Sequence, residues 1–189
     1  MGKEPSEMSL EELWQLFPIF LTEHNTFWSE WFQDEKSILE KILPQNQIAR
    51  ISHVGSTFIT NIWAKPIVDI LMEISVHCRI EEINSILIKN GYTCMSQSKD
   101  RISYNKGYTK NGFAKKVFHL HLRYTGDNDE LYFRDYLVEH KEIAFEYEKL
   151  KLELWKKYEH NRDAYTNAKT EFVARYTQEA KRIYGNKYC

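Results

Sequence analysis

A Gly-Ser pair and a carboxylate within an apolar run constrain this chain more than any other feature. Gly55-Ser56 follows the apolar run that ends at Val54, and Asp69 lies in the run from Ile67 to Leu71. Gly55 has no Cβ, so another group can approach its backbone closely. A carboxylate among apolar strand residues is costly unless it meets a cation or several hydrogen-bond donors. The segment therefore predicts a turn and a strand that together build a polar site.

Three later motifs accompany this segment. They are His119-Leu120-His121-Leu122, Phe133-Arg134-Asp135-Tyr136-Leu137, and Tyr165-Thr166-Asn167-Ala168-Lys169 with Phe172. In order and spacing they are similar to the H-x-H strand, the F-R-D-Y-L helix and the Y-T-x-A-K-x-x-F helix of the GrpB family, over roughly residues 25–180. The resemblance implies an α+β fold of the nucleotidyltransferase-like type, a mixed β-sheet flanked by N-terminal and C-terminal helices.

The resemblance also implies a chemistry for the first segment. The turn Gly55-Ser56-Thr57 would bind a phosphate through backbone N–H groups. Asp69 would hold a divalent metal, Mg²⁺ or Mn²⁺, that neutralises a nucleoside triphosphate. Lys65 precedes a proline, which favours an extended backbone, and its ammonium group would offset negative charge in the transition state. Asp69, Lys65 and His121 are therefore the candidate catalytic residues.

Two positions depart from a conventional two-metal site. Such sites use a second carboxylate two residues further along the same strand, so that both side chains share a face. That position is Leu71, which cannot bind a metal. Glu73 is the next acidic residue on this face, but it lies about 13 Å from Asp69 along an extended strand, too far to share one Mg²⁺.

A pair of histidines replaces the carboxylate expected on a later strand. His119 and His121 are two residues apart, so both imidazoles lie on one face of a strand. Imidazole prefers Zn²⁺, Mn²⁺ or Fe²⁺ to Mg²⁺, and it also acts as a base near neutral pH. We therefore expect Asp69, His119 and His121 to share a metal site, with two hydrogen-bonded strand histidines as the alternative.

The later motifs contribute further candidate phosphate ligands. Arg123, Arg134 and Lys169 are cations within or beside the matching motifs, and Tyr165 lies four residues before Lys169. An arginine fork matches the geometry of a phosphate or a carboxylate. The alternative for each cation is an ordinary surface charge. If they act together, the C-terminal helices wall the pocket.

The composition favours a single domain spanning residues 1–189 and excludes little else. A net charge of −1 does not indicate nucleic acid as a partner, and the chain has no long apolar run for a membrane span. Cys78, Cys94 and Cys189 show neither a metal-binding spacing nor a disulfide framework. Reduced thiols in a cytoplasmic protein are the expectation.

Periodicity predicts a central group of strands between helical ends. The predicted strands cover 48–54, 67–76, 92–98, 101–106 and 115–123, with a polar loop around Lys106-Gly107 and Asn111-Gly112. The predicted helices cover 9–17, 25–43, 81–89, 129–140, 142–158 and 162–184. Ser9 with Glu12 predicts a capping box for the first helix.

Three functions follow from these patterns. The first is binding of a nucleotide or another phosphorylated small molecule, with metal-dependent nucleotidyl transfer as its extension. The second is a non-catalytic ligand-binding or regulatory module that has lost the second carboxylate, which Leu71 favours. The third is an enzyme that uses a transition metal at His119 and His121.

Overall fold

A five-stranded mixed sheet forms the centre of the computed structural model, which describes residues 3–188. The strands are β1 (Ile48–Val54), β2 (Val68–Ile74), β3 (Thr93–Gln97), β4 (Arg101–Thr109) and β5 (Gly112–Tyr124). Their order across the sheet is β1-β2-β5-β4-β3. The β2 and β5 strands are parallel, and the other neighbours are antiparallel. The predicted mixed sheet is confirmed.

Seven α-helices flank the sheet in the described part of the chain. They are α1 (Leu10–Leu16), α2 (Phe27–Ile42), α3 (Ile80–Lys89), α4 (Asp129–Glu139), α5 (Lys141–Tyr158), α6 (Arg162–Asn167) and α7 (Thr170–Tyr184). The predicted capping box of α1 is confirmed, because Ser9 and Glu12 exchange hydrogen bonds between side chain and backbone. Within residues 3–188, no helix has both the length and the apolar character needed to cross a bilayer.

The two faces of the sheet differ because strand side chains alternate. One face carries the apolar residues of β2 and β5 and packs against α2 and α3. The members of this core include Val68, Ile70, Met72, Leu120, Leu122, Trp28, Phe32, Leu39, Ile83 and Leu87. The other face carries the polar residues of the same strands, Asp69, Glu73, His119, His121 and Arg123, and lies toward the C-terminal half. The alternation thus separates the main core from the candidate site.

Two predicted boundaries are wrong. The polar loop is a tight turn, because β4 continues to Thr109 and β5 begins at Gly112, with a bulge between Lys106 and Tyr108. This extension places Tyr108 within the sheet, close to the site described below.

The last predicted helix is two helices, α6 and α7, which meet near Lys169. The two halves bury their aromatic residues in different places. Tyr165 of α6 packs with Ile19 and Leu154, whereas Tyr176 of α7 packs with residues of α4. In a single straight helix Tyr165 and Tyr176 would face the same neighbouring element, so the chain breaks between them. The break places Lys169 at the N-terminus of α7.

Candidate functional site

Gly55 and Asp69 are in direct contact, which joins the two halves of the sequence motif. Val54 pairs with Asp69 across β1 and β2, so the turn begins beside the carboxylate. Gly55 has φ +72° and ψ −175°, a conformation that belongs almost entirely to glycine. A Cβ at this position would lie 2.3 Å from Asp69 Oδ2. The space left by the missing Cβ is therefore filled by the Asp69 carboxylate.

Two histidines approach the same carboxylate oxygen, and His121 makes a hydrogen bond with it. The parallel register of β2 and β5 places His119 opposite Asp69 and His121 opposite Leu71. Asp69 Oδ1 lies 3.4 Å from His119 Nδ1 and 3.3 Å from His121 Nε2. Burial by itself would raise the pKa of Asp69, but the hydrogen bonds from both imidazoles outweigh it and hold this pKa well below its usual range. Asp69 is therefore ionised at neutral pH.

Tyr108 and Arg162 extend this cluster into a chain of hydrogen bonds. Arg162 Nη2 donates to the Tyr108 hydroxyl over 2.8 Å, and this hydroxyl lies 2.8 Å from His119 Nε2. Because a guanidinium can only donate, Tyr108 accepts from Arg162 and donates to His119. His119 is then left with a proton on Nδ1 to donate to Asp69. Burial lowers the pKa of His119 to about 4, so the imidazole is neutral at pH 7.

The contacts made by His119 bear on the predicted metal site of Asp69, His119 and His121. Both ring nitrogens of His119 are occupied, one by Tyr108 and the other by Asp69. Within residues 3–188, no group of three or more histidine, cysteine or acidic side chains is arranged to hold a metal ion. As placed, Asp69, His119 and His121 form a hydrogen-bonded cluster in which the imidazoles act as donors, so the residues do not fit a shared transition metal.

Leu71, which occupies the position of the second metal-binding carboxylate, is part of the core. Leu71 is 1% exposed and packs with Val54 and Leu131. Glu73 is fully buried, where it accepts hydrogen bonds from Arg50 and Asn128. Neither position offers a second metal ligand beside Asp69, in agreement with the spacing argument from the sequence.

Two lysines flank a buried tyrosine near Asp69. The Nζ atoms of Lys65 and Lys169 lie 5.2 Å and 4.4 Å from the centre of the Tyr165 ring. Tyr165 is 1% exposed, and its hydroxyl has no hydrogen-bond partner among the described residues. Within the same part of the chain, neither ammonium group makes a hydrogen bond or an ion pair. The structure thus brings these three predicted residues together.

The electrostatics around the two lysines show an excess of positive charge. Burial lowers the pKa of Lys169 to about 8, and Arg162 adds to this effect while Asp69 opposes it. Burial also lowers the pKa of Lys65 well below its usual range, with Lys169 and Arg162 contributing. Close cations repel one another unless an anion lies between them. Asp69 is the acidic group that acts on both lysines, and one carboxylate cannot balance three cations.

The turn itself is held by its neighbours. Thr57 is buried, and its Oγ1 lies 2.9 Å from His53 Nε2. Burial lowers the pKa of His53 to about 4, so this imidazole is neutral at pH 7 and makes one hydrogen bond with the Thr57 hydroxyl. Thr57 therefore supports the turn through its side chain, whereas Ser56 and Gly55 lie next to the Asp69 cluster.

Two predicted phosphate ligands are committed to protein partners. Arg134 donates to the His53 carbonyl oxygen over 3.0 Å and to Asp135 over 2.8 Å. Arg123 is buried and donates to the Ile102 carbonyl oxygen over 3.2 Å and to Glu130 over 3.5 Å. In these positions both guanidinium groups are engaged by acceptors of the protein itself, and their binding of phosphate stays a prediction.

Three residues of the site were missed by the sequence analysis. Tyr108 and Arg162 lie 54 positions apart, and no local pattern connects them. Lys151 is buried on α5 and donates to the Trp63 carbonyl oxygen, and burial lowers its pKa to about 7. Of these three residues, only Lys151 could have been found from the sequence, because it lies on the apolar face of an amphipathic helix.

Comparisons with known proteins agree on one family. The model of the GrpB protein family matches residues 18–179. The chain is 36% identical over 160 residues to the glutamate-rich protein GrpB of Alkalihalophilus pseudofirmus, covering 82% of this chain and 91% of that protein. It is 33% identical over 162 residues to the UPF0157 protein YqkA of Bacillus subtilis, covering 84% of this chain and 46% of that protein.

A solved structure extends this agreement to the fold. The crystal structure of the conserved protein GrpB from Enterococcus faecalis is similar with a TM-score of 0.74 and 29% sequence identity. The match covers 87% of this chain and 99% of that one. The predicted α+β arrangement and the predicted family are both confirmed, and this chain belongs to the GrpB protein family.

Proposed function

We propose that this protein binds a nucleotide or another phosphorylated small molecule at the cluster formed by Asp69 and the neighbouring lysines Lys65 and Lys169. The observation that carries the proposal is the pair of ammonium groups, Lys65 and Lys169, placed around the Tyr165 ring without a carboxylate partner within residues 3–188. Both lysines are partly buried, and cations withdrawn from water are stabilised when an anion compensates them. A phosphate group supplies that charge.

Metal-dependent nucleotidyl transfer is the extension of this proposal. Mg²⁺ is usually held by one or two carboxylates together with substrate phosphates rather than by a cage of protein ligands. Asp69, ionised and beside the Gly55-Ser56 turn, suits that role with Mg²⁺ or Mn²⁺. Such a metal would neutralise charge on the phosphates, and Lys65 would contribute to the same effect. A Zn²⁺ site at His119 and His121 is not part of the proposal, because His119 Nε2 is hydrogen-bonded to Tyr108 and its Nδ1 is in contact with Asp69.

His121 is the residue best suited to accept a proton in this extension. Its Nε2 faces Asp69 Oδ1 over 3.3 Å, and because an ionised carboxylate only accepts, this nitrogen is the donor. The lone pair of Nδ1 is then available, since no partner for this atom occurs within the described residues. The imidazole would take a proton from an acceptor hydroxyl, with Asp69 holding the ring in position.

A non-catalytic module is the second candidate, and Leu71 is the observation that favours it. The position of the second metal carboxylate is 1% exposed and packed against Val54 and Leu131. A pocket of this kind would bind a phosphorylated ligand by means of its lysines without transferring a nucleotidyl group.

Calorimetric titration with ATP tests the binding proposal. Lys65→Met and Lys169→Met remove one charge each while keeping a long apolar side chain, and Lys89→Met is the matched control at an exposed lysine on α3. A charged hydrogen bond contributes about 1.5–3 kcal/mol, so each pocket variant should weaken ATP about tenfold or more, and the control should not. Unchanged affinity in both pocket variants would refute the proposal.

A second measurement separates the enzyme from the module. Wild type, with ATP and Mg²⁺ or Mn²⁺, should release pyrophosphate in the presence of an acceptor if transfer occurs, and Asp69→Asn should stop this release. Binding of ATP that is indifferent to both metals, with no pyrophosphate release, would support the non-catalytic module.

A further inference from the structure

A cavity of about 260 Å³ lies beside the Asp69 cluster and has a different lining. Its apolar walls include Phe20, Phe113, Pro18 and Pro66. The charged groups of its lining, within the described chain, are the three cations Lys65, Lys115 and Arg162. The cavity adjoins the candidate site because Lys65 and Arg162 belong to both.

Arg162 is held in place without a carboxylate partner in residues 3–188. Its Nη1 donates to the Phe17 carbonyl oxygen over 3.2 Å, and its Nη2 donates to the Tyr108 hydroxyl over 2.8 Å. Its Cζ lies 5.5 Å from the centre of the Tyr108 ring and 5.9 Å from that of Phe113. A guanidinium fixed by neutral groups retains its full charge for an incoming anion.

The shape and chemistry of the lining indicate the kind of group that enters. Proline rings and aromatic side chains present flat apolar surfaces, and such surfaces suit a planar ring. Pockets that enclose a whole drug-sized ligand measure about 300–1,000 Å³, so this cavity suits one part of a ligand rather than all of it. Because cations line the same cavity, we expect the ligand to carry an anionic group attached to its ring.

We propose that this cavity binds the aromatic ring of a ligand whose phosphate group contacts Lys65 and Arg162. The inference rests on the proposed function, which it deepens by assigning the non-phosphate half of the ligand. A nucleobase is one ring of this type, and an aryl phosphate is the simplest probe of it. The phosphate then lies between the cavity and the Asp69 cluster, where Lys169 also reaches it.

Calorimetry with three probes tests the inference: phenyl phosphate, ribose 5-phosphate and inorganic phosphate. Burial of a ring should make phenyl phosphate bind about tenfold tighter than inorganic phosphate, and ribose 5-phosphate should show no such gain. Ala114→Trp, at an exposed position on the lining, should fill the cavity and remove the gain while preserving the affinity for inorganic phosphate. Thr93→Trp, at an exposed position of β3 outside the cavity, is the control and should retain it.

Phe20→Ala serves as a second variant, because it removes one wall instead of filling the space, and it should also reduce the gain for phenyl phosphate. Equal binding of the three probes to wild type would overturn the inference and leave the proposed function intact. A gain that persists in both Ala114→Trp and Phe20→Ala would place the ring elsewhere and would also overturn it. Failure of every phosphate, ATP included, to bind wild type would refute the proposed function itself.

Discussion

Replacing Gly55 by alanine should destabilise the protein more than a substitution at any ordinary turn glycine. The backbone at φ +72° and ψ −175° costs about 1–3 kcal/mol for a residue with a Cβ. The new Cβ would also lie 2.3 Å from Asp69 Oδ2 and 2.9 Å from Asp69 Cβ, and overpacking of this kind costs about 1–3 kcal/mol. Together, the free energy of unfolding should fall by about 2–6 kcal/mol.

Guanidinium chloride unfolding measures this loss, and Gly126→Ala is the control. Gly126 has φ +95°, but a Cβ there would meet no atom within 4 Å, so only the backbone cost remains. The difference between the two variants then reports the contact of Gly55 with Asp69. The cost of Gly55→Ala should also decrease in an Asp69→Gly background, because the overlapping atoms are gone. Equal stability of Gly55→Ala and Gly126→Ala would refute this account of the glycine.

Two further predictions concern Leu71 and Lys169. Leu71→Asp should lower the free energy of unfolding by about 3 kcal/mol or more, because it places an unpaired carboxylate in a buried apolar cluster. The control Leu71→Met should cost less than about 1.5 kcal/mol. A Leu71→Asp variant as stable as wild type, with gained Mg²⁺ affinity, would contradict the packing argument. The affinity for ATP should be full well below pH 8 and should fall as the pH rises through 8 and above. Burial lowers the pKa of Lys169 to about 8 in the free protein and a bound phosphate raises it again, so that binding takes up a proton. Calorimetry between about pH 7 and pH 10 measures this fall in affinity. Lys169→Arg should reduce it, since arginine keeps its charge throughout the range. An identical fall in both proteins would assign the titration to another group.

The sequence by itself determined the strands, their faces and the family. The apolar run before Gly55-Ser56 and the β-branched run in 67–76 predicted β1 and β2, and the two-residue period of a strand predicted that Asp69 and Leu71 share a face. The same period placed His119 and His121 together on β5. These inferences hold because alternation is a property of the extended chain and needs no distant partner.

Only the tertiary structure decided the partners of each polar side chain. The sequence could not show that Asp69 occupies the space beside Gly55, or that Tyr108 connects Arg162 to His119. It also assigned Arg123 and Arg134 to phosphate, whereas both donate to carbonyl and carboxylate groups of the protein. The reason is physical: the charge of a side chain is local, but the group that compensates it depends on the register between strands and on the packing of helices far apart in the chain.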